Sequence, residues 1–385
     1  MNERGKITGF VKAAALLLLL LVAFNIAGCF KPFCNFYKAH FYPVIADFWG
    51  RIFGIFPVAV GELLMYLGAL MLLLVLALSF LLLFLRKKAG YRRFTIMYLK
   101  AVLLTVESVL LICTLNWFIP FRSDLLEIEG AVERSYTLEE IRNVRNDIVL
   151  RLNECAEAVE RDESGRVVYY DVEQSVFQAM QDQQEVYPLL GGYYPPMKAA
   201  LCSDFLEWMD VGGYIYPYTT EVTYNVYVTD LYYPFLLAHE TAHHKGFCQE
   251  NEANFIAFLA CTNSTDPLVR YAGYNEIFYY IDEAYSDTLF AAKDREAATE
   301  EWKQQPQVSS KVDRDRRDAW EDSEQKYEAV SHPAQDLAPM AADVGDVGWS
   351  VQGEILQENG YDGVVKMVME YYDAQMHGNR EWTWH

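Results

Sequence analysis

Hydrophobic residues come first in long blocks and later at spaced intervals, and the change divides the chain near residue 120. Residues 13–30 (AAALLLLLLVAFNIAGCF) and 63–85 (LLMYLGALMLLLVLALSFLLLFL) carry no charge, and residues 94–119 form a third, less pure run. Runs of this length span a bilayer as helices. Residues 1–120 therefore read as a membrane domain with three transmembrane helices and the lipid bilayer as partner. Lys100 and Glu107 lie seven positions apart on one face of the third run. Charges at such depth turn toward protein, and the pair reads as a helix-packing contact.

Beyond residue 120 the apolar positions recur at helical spacing. Leu138, Ile141, Val144, Ile148, Val149 and Leu152 make one stripe, preceded by Thr137 and Glu140 in the arrangement of a capping box. A short helix is expected near Met197–Met209, after a loop marked by Gly191-Gly192 and Pro195-Pro196. The stretch 211–230 (VGGYIYPYTTEVTYNVYVTD) is β-branched and aromatic and alternates from Thr220 to Asp230. It predicts a strand whose free edge can receive an extended peptide. Helices are expected within 235–261 and 266–292, and a charged, solvated helix or arm near 293–340. A turn at Asn359–Gly363 and a terminal helix over Val364–Tyr372 close the chain. The fold class is mostly α.

Charge sets the sidedness. Arg4, Lys6 and Lys12 precede the first run, and Arg86, Lys87, Lys88, Arg92 and Arg93 crowd the connection between the second and third. Basic flanks stay in the cytoplasm, which puts the N terminus inside and residues 121–385 outside the cell membrane. Of the 53 acids only Glu3, Asp47, Glu62 and Glu107 precede residue 121, in a chain of net charge −21. Such an acidic outer domain has no cationic surface, and nucleic acid is excluded as a partner. Ile26-Ala27-Gly28-Cys29 has the form of a lipobox, although two further spans make a lipid anchor redundant. Cys248 and Cys261 flank one helix of the outer domain, where thiols oxidise, and are candidates to pair.

The chemistry concentrates in Phe235–Cys261, FLLAHETAHHKGFCQENEANFIAFLAC. His239-Glu240-Thr241-Ala242-His243 places two imidazoles one helical turn apart, where both reach a single metal ion. Glu240 follows the first of them and can serve as general base toward a metal-activated water. Three of the seven histidines fall between positions 239 and 244, which argues against an incidental surface helix. A hydrolytic zinc site needs a third protein ligand. Gln249 occupies the place of the third histidine in HExxHxxGxxH, and glutamine is a poor zinc ligand. Glu250 is preferred because Asn254, four residues on, can steady the first histidine; Glu252 is the alternative. Gly246 is expected to end the first helix with a left-handed cap. His244 points to another face and reads as a rim or outer-shell residue. An oxyanion donor is sought in His244 or in Tyr271, Tyr274, Tyr279, Tyr280 and Tyr285.

The segments GYIYPYTTE (213–221), HETAHHKGF, QENEANFIAFLAC and RYAGY (270–274), with the three N-terminal runs, resemble a bacterial membrane family catalogued as domain of unknown function 3810. Its members look like membrane-anchored gluzincin peptidases, whose third ligand is a glutamate from a second helix. In the related CAAX-prenyl-protease type, an aspartate follows that glutamate by four residues. Asn254 stands there in this chain, keeping a hydrogen-bond partner without its charge. The resemblance implies a zincin-like α+β domain over residues 121–385, with a small β-sheet edge strand before the HExxH helix.

The expectation is a Zn2+-dependent metallopeptidase acting on a peptide or protein substrate at the outer face of the membrane. His239, His243 and Glu250 are its expected metal ligands and Glu240 its catalytic base. Two rivals predict something different: a sensor or assembly factor with a closed, four-ligand structural zinc, and a zinc amidase acting on cell-wall peptides.

Overall fold

A computed structural model describes residues 3–132, 134–355 and 361–378. It is 70% helix and 3% strand, so helices supply nearly all the packing surface, as the apolar spacing predicts. The chain forms two compact units: residues up to Asp124 together with Ile215–Val222, and the remainder.

The first unit begins with α1 (Glu3–Ala27), α2 (Lys31–His40), α3 (Tyr42–Phe53), α4 (Val60–Leu85) and α5 (Ala89–Cys113). A π-helical turn, Thr114–Phe118, joins α5 to the short α6 (Ile119–Phe121). Gly9–Ala27, Val60–Leu85 and Ala89–Phe121 are long and apolar enough to cross a membrane. Leu19, Leu73 and Leu83 on these helices are each more than 60% exposed, an apolar surface compatible with a membrane. The connection between the first two spans is helical, with Pro32 and Pro43 each in the first turn of a helix. Cys34, Tyr37, Tyr42 and Ala46 bury themselves there against Ile119. Lys100 packs over the ring of Phe10, 4.9 Å from its centroid, and Glu107 is buried. Tyr91 and Tyr98 donate to the carbonyls of Leu78 and Met71, tying α5 to α4.

The tip of a hairpin, Ile215–Val222, belongs to this unit too. Glu221 accepts the backbone N–H groups of Val60 at 3.1 Å and Gly61 at 2.7 Å, donors at the start of α4 that have no partner within the helix. Tyr218 donates to the Gly61 carbonyl, and Asn116 of the π-helical turn donates to Pro217 O.

In the second unit α7 (Leu138–Ala158) starts at Thr137 with the expected capping box and buries Val144, Ile148, Val149 and Leu152. There follow α8 (Glu173–Gln181), β1 (Lys198–Ala199), α9 (Ser203–Trp208), β2 (Gly213–Tyr216) and β3 (Glu221–Tyr224). The helix expected over Met197–Met209 is thus a two-residue strand and a shorter helix. The strand expected from Thr220 ends at Tyr224. Asn225 turns the chain there, its Oδ1 accepting Tyr227 N–H and its Nδ2 donating to Glu207. The strand order is β1-β3-β2, with Lys198 opposite Thr223 in a parallel pair. β3, the strand nearest the HExxH helix in sequence, is therefore central. The edges of the sheet belong to β1 and β2.

The rest is helical: α10 (Tyr233–His244), α11 (Glu250–Thr262), α12 (Pro267–Ala292), α13 (Arg295–Gln304), α14 (Ser310–Glu328), α15 (Ala338–Ile355) and α16 (Tyr361–Gly378). Gly273 lets α12 approach α11 closely, since a Cβ there would lie 2.6 Å from Cys261 Cβ. The charged region near 293–340 is no free arm. α13 and α14 bury Ala298, Val312 and Ala319. The guanidinium of Arg161 grips Asp315 through two bonds of 2.7 and 2.8 Å. Buried Arg145 binds Asp282 and the Pro306 carbonyl. The expected terminal helix lies within α16, while the Asn359-Gly360 part of the predicted turn falls outside the described residues. No disulfide joins Cys248 and Cys261, both of which are buried.

Candidate metal centre

α10 carries the motif, and its burial explains why it is a helix held in one place. Pro234 occupies the first turn, where its missing N–H is not needed, and every residue from Pro234 to His244 is buried. The helix ends as expected at Gly246, whose φ of +98° lies in glycine's left-handed region. Gly246 N–H bonds to His243 O and Phe247 N–H to Ala242 O, a complete Schellman closure. This reverses the chain in a few residues and starts α11 at Glu250, packed against α10. Ala253, Ala257 and Ala260 are fully buried on α11, small enough to let two helix backbones approach.

The structure brings together His239, His243 and Glu250, whose candidate ligand atoms all lie within 4.8 Å of one another. Glu250 Oε2 is 3.2 Å from His239 Nε2, and Oε1 is 3.6 Å from His243 Nε2. Among the described residues no other trio of histidine, cysteine and carboxylate side chains converges this way. Glu252 is elsewhere: it is buried and accepts the N–H of Leu126 at 2.8 Å. His244 is fully buried, which removes the rim alternative but not the outer-shell one, because the face of α10 opposite the cluster also packs into protein.

Each imidazole is oriented through its other nitrogen. His243 Nδ1 lies 2.8 Å from the Phe247 carbonyl, which can only accept, so Nδ1 carries the proton and Nε2 is left as the electron-pair donor. His239 Nδ1 lies 2.8 Å from Asn254 Oδ1 and is fixed in the same sense. Asn254 follows Glu250 by one turn of α11, as the sequence reading required.

Burial opposes charge on His243, but the Glu250 carboxylate beside it prevails and holds its pKa up at about 9. Burial likewise pushes Glu250 up, and the two imidazoles overcome that and keep its carboxyl well below the usual range. For Glu240 burial wins, and its pKa is raised despite His239 and His243. Its Oε2 is buried with no hydrogen-bond partner, a polar atom that calls for an explanation in a buried setting. Two imidazole Nε2 atoms, from which a bound cation would displace the proton that Glu250 now holds on His243, one carboxylate and an unpartnered acid beside them form a donor set that fits Zn2+. The imidazoles are nearly enclosed, whereas the side chain of Glu250 is 38% exposed, so the cluster opens toward solvent on the α11 side.

Sequence reasoning missed three contributors. The Phe247 carbonyl was legible only through the Schellman closure that Gly246 imposes. The Leu126 N–H that occupies Glu252 is remote in sequence. Gly213 approaches Glu240 closely enough to exclude a side chain, and the Gly212-Gly213 pair was its one signal.

Among known families, residues 37–337 match the one described as protein of unknown function (DUF3810). No curated protein matches the chain, and no solved structure does.

Proposed function

We propose, for a chain that belongs to the DUF3810 family, a zinc-dependent peptidase activity. In this reading residues 121–385 form a zincin-like domain of the gluzincin kind. Three N-terminal helices anchor that domain in a bacterial membrane, with the N terminus cytoplasmic and the site outside. The observation that carries the proposal is the convergence of His239, His243 and Glu250 with both imidazoles turned by a second hydrogen bond.

His239 Nε2, His243 Nε2 and the Glu250 carboxylate would hold the ion. Zinc, when bound, polarises a carbonyl and makes water acidic enough to attack near neutral pH. The chain's own part is proton handling. Glu240, raised by burial and unpartnered at Oε2, takes one proton from the attacking water and delivers it to the leaving nitrogen. Oxygen bonds to the carbonyl carbon as the C–N bond breaks, and Glu240 ends as it began. Asn254 and the Phe247 carbonyl keep the imidazoles from rotating during turnover. Three converging donors, without a fourth from His244, Glu252 or a cysteine among the described residues, favour an open catalytic site over a closed structural one.

The test is a metal assay on the purified full chain with a peptide-library digest of parent and Glu240→Gln. One zinc per chain in both, with cleavage by the parent alone, is expected. Equal cleavage by the variant, or no zinc in the parent, refutes the reading.

A further inference from the structure

We propose that Gly213 is a positioning residue for Glu240: the bare backbone at the start of β2 fixes the carboxylate in its working rotamer. The inference rests on the peptidase reading for its meaning in turnover, and on the structure alone for the contact. A Cβ built on Gly213 would lie 2.5 Å from Glu240 Oε1, 2.7 Å from Cδ and 2.8 Å from Cγ. All three nearest atoms belong to that one side chain. The backbone torsion at Gly213 is not in the left-handed region, so conformational freedom does not explain a glycine there. Close approach does.

The strand cannot retreat from the contact. The Gly212 carbonyl accepts Asn225 N–H at 2.8 Å, and the Tyr214 carbonyl accepts the Thr223 hydroxyl at 2.9 Å. Gly212 meanwhile lies against Tyr232 and Leu236. Residues 232, 236 and 240 are successive turns of one helical face, so the glycine pair runs along α10 and ends on its carboxylate. An added methyl at 213 therefore meets a fixed backbone on one side and the flexible end of Glu240 on the other. Glu240 is what moves. The substitution is thus accommodated by the fold, and the proton carrier is displaced.

The experiment uses the full chain in detergent micelles, with zinc affinity measured by chelator competition, and a peptide taken from the library digest. Gly213→Ala is expected to bind zinc within about threefold of the parent and to lose kcat on the order of a hundredfold, the scale of a misplaced general base, with KM little changed. Glu240→Asp alone slows the parent, but Gly213→Ala/Glu240→Asp is faster than Gly213→Ala, because the shorter side chain makes room for the methyl. A thermal-melting cycle reads the contact without turnover: Gly213→Ala lowers Tm in the parent and does so less in Glu240→Ala. An equal drop in both backgrounds, or a double variant no faster than Gly213→Ala, overturns the proposal. A parent that cleaves nothing sinks the peptidase reading instead, and the melting cycle still decides the contact.

Discussion

Asn254→Ala isolates the support of the first imidazole, because the corresponding support of His243 is a backbone carbonyl that no substitution removes. Asn254 Oδ1 accepts from His239 Nδ1 at 2.8 Å. Losing that bond removes about 1 kcal/mol, and leaving Nδ1–H stranded beside buried α10 adds about 1–2 kcal/mol. Asn254 is only partly buried, so water reaches the vacated space and the lower half of that range applies. A total near 2 kcal/mol corresponds to a loss of about thirtyfold in zinc affinity, within the tenfold to hundredfold usual for such outer partners. Asn254→Asp keeps the acceptor and adds a charge, so it should bind zinc at least as tightly as the parent. The assay is competition with a chromophoric chelator on the full chain, with His239→Ala as the reference for complete loss. If Asn254→Ala holds zinc as tightly as the parent, the imidazole is not steadied through Nδ1 and this account of the second helix is wrong.

Two further outcomes follow from local physics. Gly246→Ala forces a side chain into φ +98° and should destabilise by about 1–3 kcal/mol, read as a lower Tm together with weaker zinc binding, since the turn spaces Glu250 from α10; an unchanged Tm refutes it. Burial lifts Glu276 to about 7 against the hydrogen bond from Asn275 and the Arg316 charge, so the folded chain keeps a proton that an unfolded glutamate gives up near pH 4.3. Stability attributable to Glu276 is then lost as pH rises from about 4.5 to 7 and stays lost above. Glu276→Gln should raise Tm relative to the parent at pH 7.5, by up to about 3 kcal/mol in stability, and leave it unchanged at pH 4; a uniform shift at both refutes it.

What the sequence made legible is what local periodicity encodes. The HExxH spacing needs only the geometry of one helix, and the Glu250–Asn254 pair only that of a second, so the cluster could be read before it was seen. The Thr137–Glu140 cap and the Gly246 turn are likewise written within a few residues. The sheet was misread because alternation from Thr220 does not reveal that Asn225 turns the chain, nor which neighbour covers a strand. The charged segment looked unpacked because its partners, Arg145 and Arg161, lie more than a hundred residues earlier and bury charge by pairing it. Helical phase left His244 between a rim and an outer shell, because phase says nothing about what packs on the far face.

The clasp between Glu221 and the start of α4 bears on how the chain can be divided. Glu221 is only 4% exposed, and its carboxylate is held by the N–H groups of Val60 and Gly61. Remove the apolar helices and that acid loses its donors, while Pro217 loses Asn116 and the loop between β2 and β3 loses its fastening. Gly213 begins β2, the strand that leads into this loop. A water-soluble fragment trimmed just past Asp124 would thus be a different molecule around residue 220, and its silence in an assay would report broken masonry rather than absent chemistry. The N-terminal helices thus supply the hydrogen-bond partners that hold residues 215–222 in place.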